Sequence, residues 1–72
     1  MKEIPIRDEY ITLGQFLKLA GAINTGGEAK FYLADIPVIV NGEQDNRRGR
    51  KLRPGDVVTL QDIGEVKVTK EA

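Results

Sequence analysis

Five of the 11 basic residues of this 72-residue chain, Arg47, Arg48, Arg50, Lys51 and Arg53, fall in one short run that contains no acid. Guanidinium forks match phosphate oxygens two at a time, and a flexible loop interrupted by Gly49 can follow a nucleic-acid backbone. The chemistry this run suggests is electrostatic capture of phosphates; the plain alternative is a solvated loop that serves solubility. A second candidate lies at Thr25, Gly26 and Gly27, which read as the start of a helix whose bare amides and positive dipole end would face an anion. Lys30, one turn further on, would add a charge. The same glycines would equally permit close packing between helices, and Glu28 opposes an anion.

Catalytic chemistry finds little to work with. The chain has no histidine, cysteine or serine, which excludes the commonest nucleophiles and histidine as a general base. No pair of carboxylates stands out by spacing, so neither an enzyme nor a metal or cofactor site is expected. Asp56 follows Pro54 and Gly55 in a turn, where its side chain would satisfy turn amides. Phe16 and Tyr32 fall on apolar stripes and read as core. With so few aromatics, recognition of a single strand by stacked bases is not expected.

The elements that must position these residues follow from local signals. Ile4 and Ile6 alternate with polar neighbours as a short half-buried strand. Thr12 and Gln15 form a capping box that opens a helix, with Ile11 and Phe16 spaced as a hydrophobic staple and Leu13, Phe16, Leu17 and Ala20 on one face. Gly21 supplies the stop. Thr25 and Glu28 have the spacing of a second capping box, opening a helix whose buried stripe is Ala29, Tyr32, Leu33 and Ile36 and which Pro37 ends. Val38 to Val40 run into Asn41-Gly42, a tight hairpin turn. Arg53-Pro54-Gly55-Asp56 is a second turn, Val57 to Leu60 a strand, and Val66 and Val68 mark a last strand. The expected fold is α+β: a two-helix N-terminal pair packed on a small, mostly antiparallel sheet.

Length bounds the rest. A chain this short buries only about 60% of its unfolded surface and supports one core, so residues 1–72 are expected to be a single domain with its function on the surface. Without cysteine it folds by packing alone. No membrane span or signal peptide is read, which makes the cytoplasm the expected location. Eleven basic residues balance 11 acidic ones, so any positive patch arises from distribution and not from net charge.

In their order and spacing, the segments TLGQFLK from Thr12, TGGEAK from Thr25, VIVNGE from Val38, RRGRKL from Arg47 and the Gly55-Asp56 pair resemble one family. It is the RNA-binding domain named after the fourth protein of the small ribosomal subunit, in its small single-domain bacterial branch of YaaA-like and YbcJ-like proteins. The resemblance implies the alpha-L RNA-binding motif, a helix pair on a small sheet that grips RNA along the pair and an adjoining loop, with the Asn41 turn near the RNA. The broader family usually has Arg and Asp where this chain has Thr12 and Gly14, and Ser-Arg where it has Thr25-Gly26. These departures move the expected binding energy towards the basic loop. The expectation is therefore a non-catalytic, ribosome-associated bacterial protein that holds structured RNA, with ribosomal RNA foremost and no small-molecule substrate or membrane partner. A rival of a different class is an adaptor whose basic loop docks on an acidic protein surface.

Overall fold

The computed structural model describes residues 1–71. Strand β1 covers Lys2–Ile6 and β2 Ile11–Thr12; helix α1 covers Leu13–Leu19 and α2 Ala29–Asp35. Strands β3 (Val38–Val40), β4 (Glu43–Gln44), β5 (Lys51–Leu52), β6 (Val57–Leu60) and β7 (Gly64–Lys70) follow. Five strands form one sheet in the order β1-β7-β6-β3-β4, and β2 pairs with β5 in a separate two-stranded ribbon. The class is α+β, as expected. Its sheet is mixed, because β1 runs parallel to β7 while the other pairs are antiparallel. The helix pair is thus not the first element of the chain: a strand precedes it and closes the sheet against the last strand.

Period-2 alternation explains which sheet face is buried. Val40 lies opposite Val58, Val58 opposite Val66, and Val38 opposite Leu60. All are essentially inaccessible and share one core with Ile4, Ile6 and the helix residues Leu13, Phe16, Leu17, Ala20, Ala29, Tyr32 and Leu33. Asn41 (φ 51°) and Gly42 (φ 87°) make the hairpin turn between β3 and β4 with both central residues left-handed. Gly55, at φ 101°, turns the chain into β6, with Asp56 N–H donating to the Arg53 carbonyl at 3.0 Å and Arg53 N–H to Asp56 Oδ2 at 2.8 Å. Asp56 is accordingly a turn residue.

Helix α1 begins as its sequence reads. Gln15 N–H donates to Thr12 Oγ1 at 3.3 Å and Thr12 N–H to Gln15 Oε1 at 2.9 Å. It ends in a Schellman motif at Gly21 (φ 83°), with Ala22 N–H donating to the Leu17 carbonyl and Gly21 N–H to that of Lys18. The second capping box does not form. Gly26–Glu28 is a 3₁₀ turn, Thr25 makes no side-chain cap, and α2 starts only at Ala29. Two successive glycines each cost a helix about 1 kcal/mol relative to alanine, which favours a tighter local turn over a regular first turn. Glu28 instead accepts from Asn24 N–H at 3.3 Å.

The helices are fastened to the sheet by polar contacts as well as by the core. Tyr32 Oη donates to Asp62 Oδ1 at 2.9 Å, linking α2 to the turn between β6 and β7. Burial, reinforced by that bond and the carboxylate charge, pushes the Tyr32 hydroxyl up to about 12. Lys2 Nζ donates to the Ala20 carbonyl at the end of α1. No helix among the described residues is long and apolar enough to cross a membrane.

Candidate nucleic-acid interface

The basic segment is an ordered loop seated on the start of α1. A helix start leaves amides without partners inside the helix. Here Leu13 N–H donates to the Arg50 carbonyl at 2.8 Å and Gly14 N–H to the Arg48 carbonyl at 2.9 Å. With Thr12 and Gln15 capping one another, these amides are satisfied by protein and unavailable to a phosphate. Both acceptors belong to a turn closed by Arg50 N–H on the Arg47 carbonyl at 3.1 Å. Lys51–Leu52 then pairs with Ile11–Thr12, and Leu52 is fully buried.

Asp45, just upstream of the run, fixes the loop's internal geometry. It is the single charged residue in the buried set among the described residues, at 9% exposure. Its Oδ1 accepts from the Arg47 backbone N–H (2.9 Å) and Nε (3.1 Å), while Oδ2 accepts from Arg47 Nη2 and Arg50 Nη1, both at 2.8 Å. The Arg47 guanidinium foremost, then that of Arg50, holds the Asp45 carboxyl well below the usual carboxylate range, against a burial cost that acts in the other direction. Arg47 is correspondingly raised. Two of the five loop cations are therefore engaged in ion pairs with Asp45. The acid that engages them stands two residues outside the run, and its reach was not apparent from spacing.

Arg48, Lys51 and Arg53 make no ion pair among the described residues. Arg48 and Gly49 line an open cleft of ≈ 460 Å³ with Thr12, Gly14, Gln15, Lys18, Gly26 and Ala29. No carboxylate lines this cleft, and Lys18 and Arg48 are its two cations. Close approach makes it possible: a Cβ on Gly14 would stand 3.4 Å from the Arg48 carbonyl oxygen and 3.5 Å from Ala29 Cβ. Lys51 and Arg53 lie at a neighbouring place, with Lys51 Nζ 4.9 Å and Arg53 Cζ 5.8 Å from the Tyr10 ring centroid.

The other expected site residues divide. Gly26 belongs to the cleft, but as part of the 3₁₀ turn and not as the first residue of α2. Thr25, Gly27 and Lys30 are exposed and do not line it. Asn41 is occupied structurally: its Nδ2 donates to Asp56 Oδ1 at 3.1 Å and its Oδ1 accepts from Val57 N–H at 2.9 Å, joining the two turns. Sequence reasoning missed two participants. Tyr10 lay between recognisable elements and carried no periodic signal. Gly14 was read only as a departure from a family pattern. Lys18, off the apolar stripe of α1, reads from sequence equally as a plain surface lysine or an RNA contact, and acquires its place from the loop docking beside it.

The family model described as the S4 domain matches residues 4–69, and the chain belongs to that family. The match takes in β1 and β7 as well as the helix pair and the loop. The chain is also similar to the probable ribosome maturation protein RlbA of Bacillus subtilis (strain 168), with 57% identity over 65 residues covering 90% of this chain and 92% of that protein.

Proposed function

We propose that this protein is a non-catalytic RNA-binding module that engages structured RNA of the ribosome, ribosomal RNA foremost, and acts in ribosome maturation. The observation that carries this reading is the carboxylate-free cleft that Arg48, presented by a loop hydrogen-bonded to α1, lines together with Lys18. Family membership and the similarity to a probable ribosome maturation protein of Bacillus subtilis support it. In this reading the loop divides its labour. Asp45 with Arg47 and Arg50 sets the loop's shape; Arg48, Lys51 and Arg53 contact phosphates, with Lys18 added from α1. Phosphate contacts fix register and orientation without reading sequence, which suits recognition of a folded RNA by shape.

Replacing Lys18, Arg48 and Lys51 together with alanine tests the assignment. Affinity for a ribosomal RNA hairpin is expected to fall by at least tenfold near physiological salt while circular dichroism stays unchanged. Unchanged affinity in the folded variant rejects this site.

A further inference from the structure

We propose that Tyr10 is a stacking platform for one unpaired nucleobase of the bound RNA, an inference that rests on the RNA-binding reading above. Tyr10 is 39% exposed, at the end of the bend that joins β1 to β2. It and Phe31 are the two of the four aromatic side chains that the core does not claim, and on Tyr10 two unpaired cations, Lys51 and Arg53, converge. An exposed cation–π contact is worth a factor of about 2 to 5. A base stacked on an aromatic ring is worth about 5 to 150. Two such contacts together are worth a factor of about 4 to 25, within the range of one stack, so a base competes with them for the ring while both cations stay within reach of its flanking phosphates.

The surroundings select a base over a phosphate. Tyr10 lines a cleft of ≈ 390 Å³ with Asp8, Thr12 and Gln15. The Asp8 carboxylate repels a phosphate but tolerates the amino or imino edge of a base, for which it is an acceptor. Thr12 and Gln15 also line the cleft of Lys18 and Arg48, so the two clefts adjoin. A strand whose phosphates lie between Lys18 and Arg48 brings a neighbouring nucleotide to Tyr10. The preferred ligand is then a stem with an extruded nucleotide, which goes beyond recognition by shape alone.

The test compares an RNA hairpin with a continuous stem against the same hairpin carrying a single-nucleotide bulge, with 2-aminopurine as the bulged base. The intact protein is expected to bind the bulged hairpin more tightly and to quench its fluorescence. Tyr10→Leu should lose about tenfold on the bulged hairpin alone and abolish the quenching, and Tyr10→Phe should keep both. Equal losses on the two hairpins, or quenching that survives Tyr10→Leu, overturns the proposal. Lys18→Ala with Arg48→Ala weakens both hairpins if the RNA-binding reading holds; if it weakens neither, that reading fails separately, whatever Tyr10 does.

Discussion

The starts of α1 and α2 carry the same local signal, a threonine followed three residues later by a glutamine or glutamate, yet they adopt different geometries. At α1 the box closes, and the amides it leaves are taken by the carbonyls of Arg48 and Arg50. At Thr25 no side-chain cap forms, two glycines make a 3₁₀ turn, and the helix begins three residues later than the signal suggests. A capping motif states which side chains can satisfy amides; glycine content and long-range partners decide whether they do. The difference has a functional consequence. The first start is a clamp that presents the basic loop, and the second supplies Gly26 and Ala29 to the lining of the cleft.

The comparison can be broken most strongly at the clamp. Leu52 is fully buried on β5 beneath the loop. Leu52→Ala is expected to cost about 2–5 kcal/mol, measured by urea denaturation, and to loosen the Arg47–Arg50 turn from α1, seen as faster amide exchange at Leu13 and Gly14. Next comes Asp45. Asp45→Ala removes the acceptor for one backbone and three guanidinium N–H groups, at an expected cost of about 1–3 kcal/mol. The sign of its pH dependence follows from a folded carboxyl held below its ordinary value. Asp45's contribution is complete above the unfolded value of about 4 and is lost as pH falls through the lower folded value. The stability difference between the protein and Asp45→Asn should thus be flat from pH 8 to 5 and shrink below pH 4; a difference that already decays at pH 6 contradicts the ion-pair geometry.

Smaller effects sharpen the contrast between the two starts. Thr12→Ala is expected to destabilise by about 1 kcal/mol, the usual worth of an N-cap, while Thr25→Ala, which removes no cap bond, should be within about 0.5 kcal/mol of neutral. Gly26 has open space around its Cβ position and no left-handed φ. Gly26→Ala should therefore stabilise by about 0.4–1 kcal/mol through the unfolded chain, and thermal melts of the three variants side by side read all these shifts.

How much was legible beforehand follows the range of each interaction. The α1 cap, the Gly21 stop, the Asn41-Gly42 and Pro54-Gly55 turns and the alternation of β6 and β7 rest on neighbours within a few residues, and local spacing reported them. The parallel pairing of β1 with β7 joins opposite ends of the chain, and no local pattern encodes it. The same holds for the loop. The density of arginines was visible, but its division into paired and unpaired members depends on Asp45 lying under the turn, and the partnership of Arg48 with Lys18 depends on hydrogen bonds from α1. Tyr10 was invisible because exposure of an aromatic is a tertiary property.

The salt dependence of RNA binding tests this division most directly. If Lys18, Arg48, Lys51 and Arg53 neutralise phosphates and Arg47 and Arg50 do not, log K against log salt should have a slope of about −3 to −4, against −4.5 for five equivalent loop cations. Lys18→Ala with Arg48→Ala should make that slope shallower by about 1.5, whereas Arg47→Ala should leave it nearly unchanged. A slope that responds to Arg47→Ala as strongly as to Arg48→Ala would contradict the assignment of Arg47 to the scaffold.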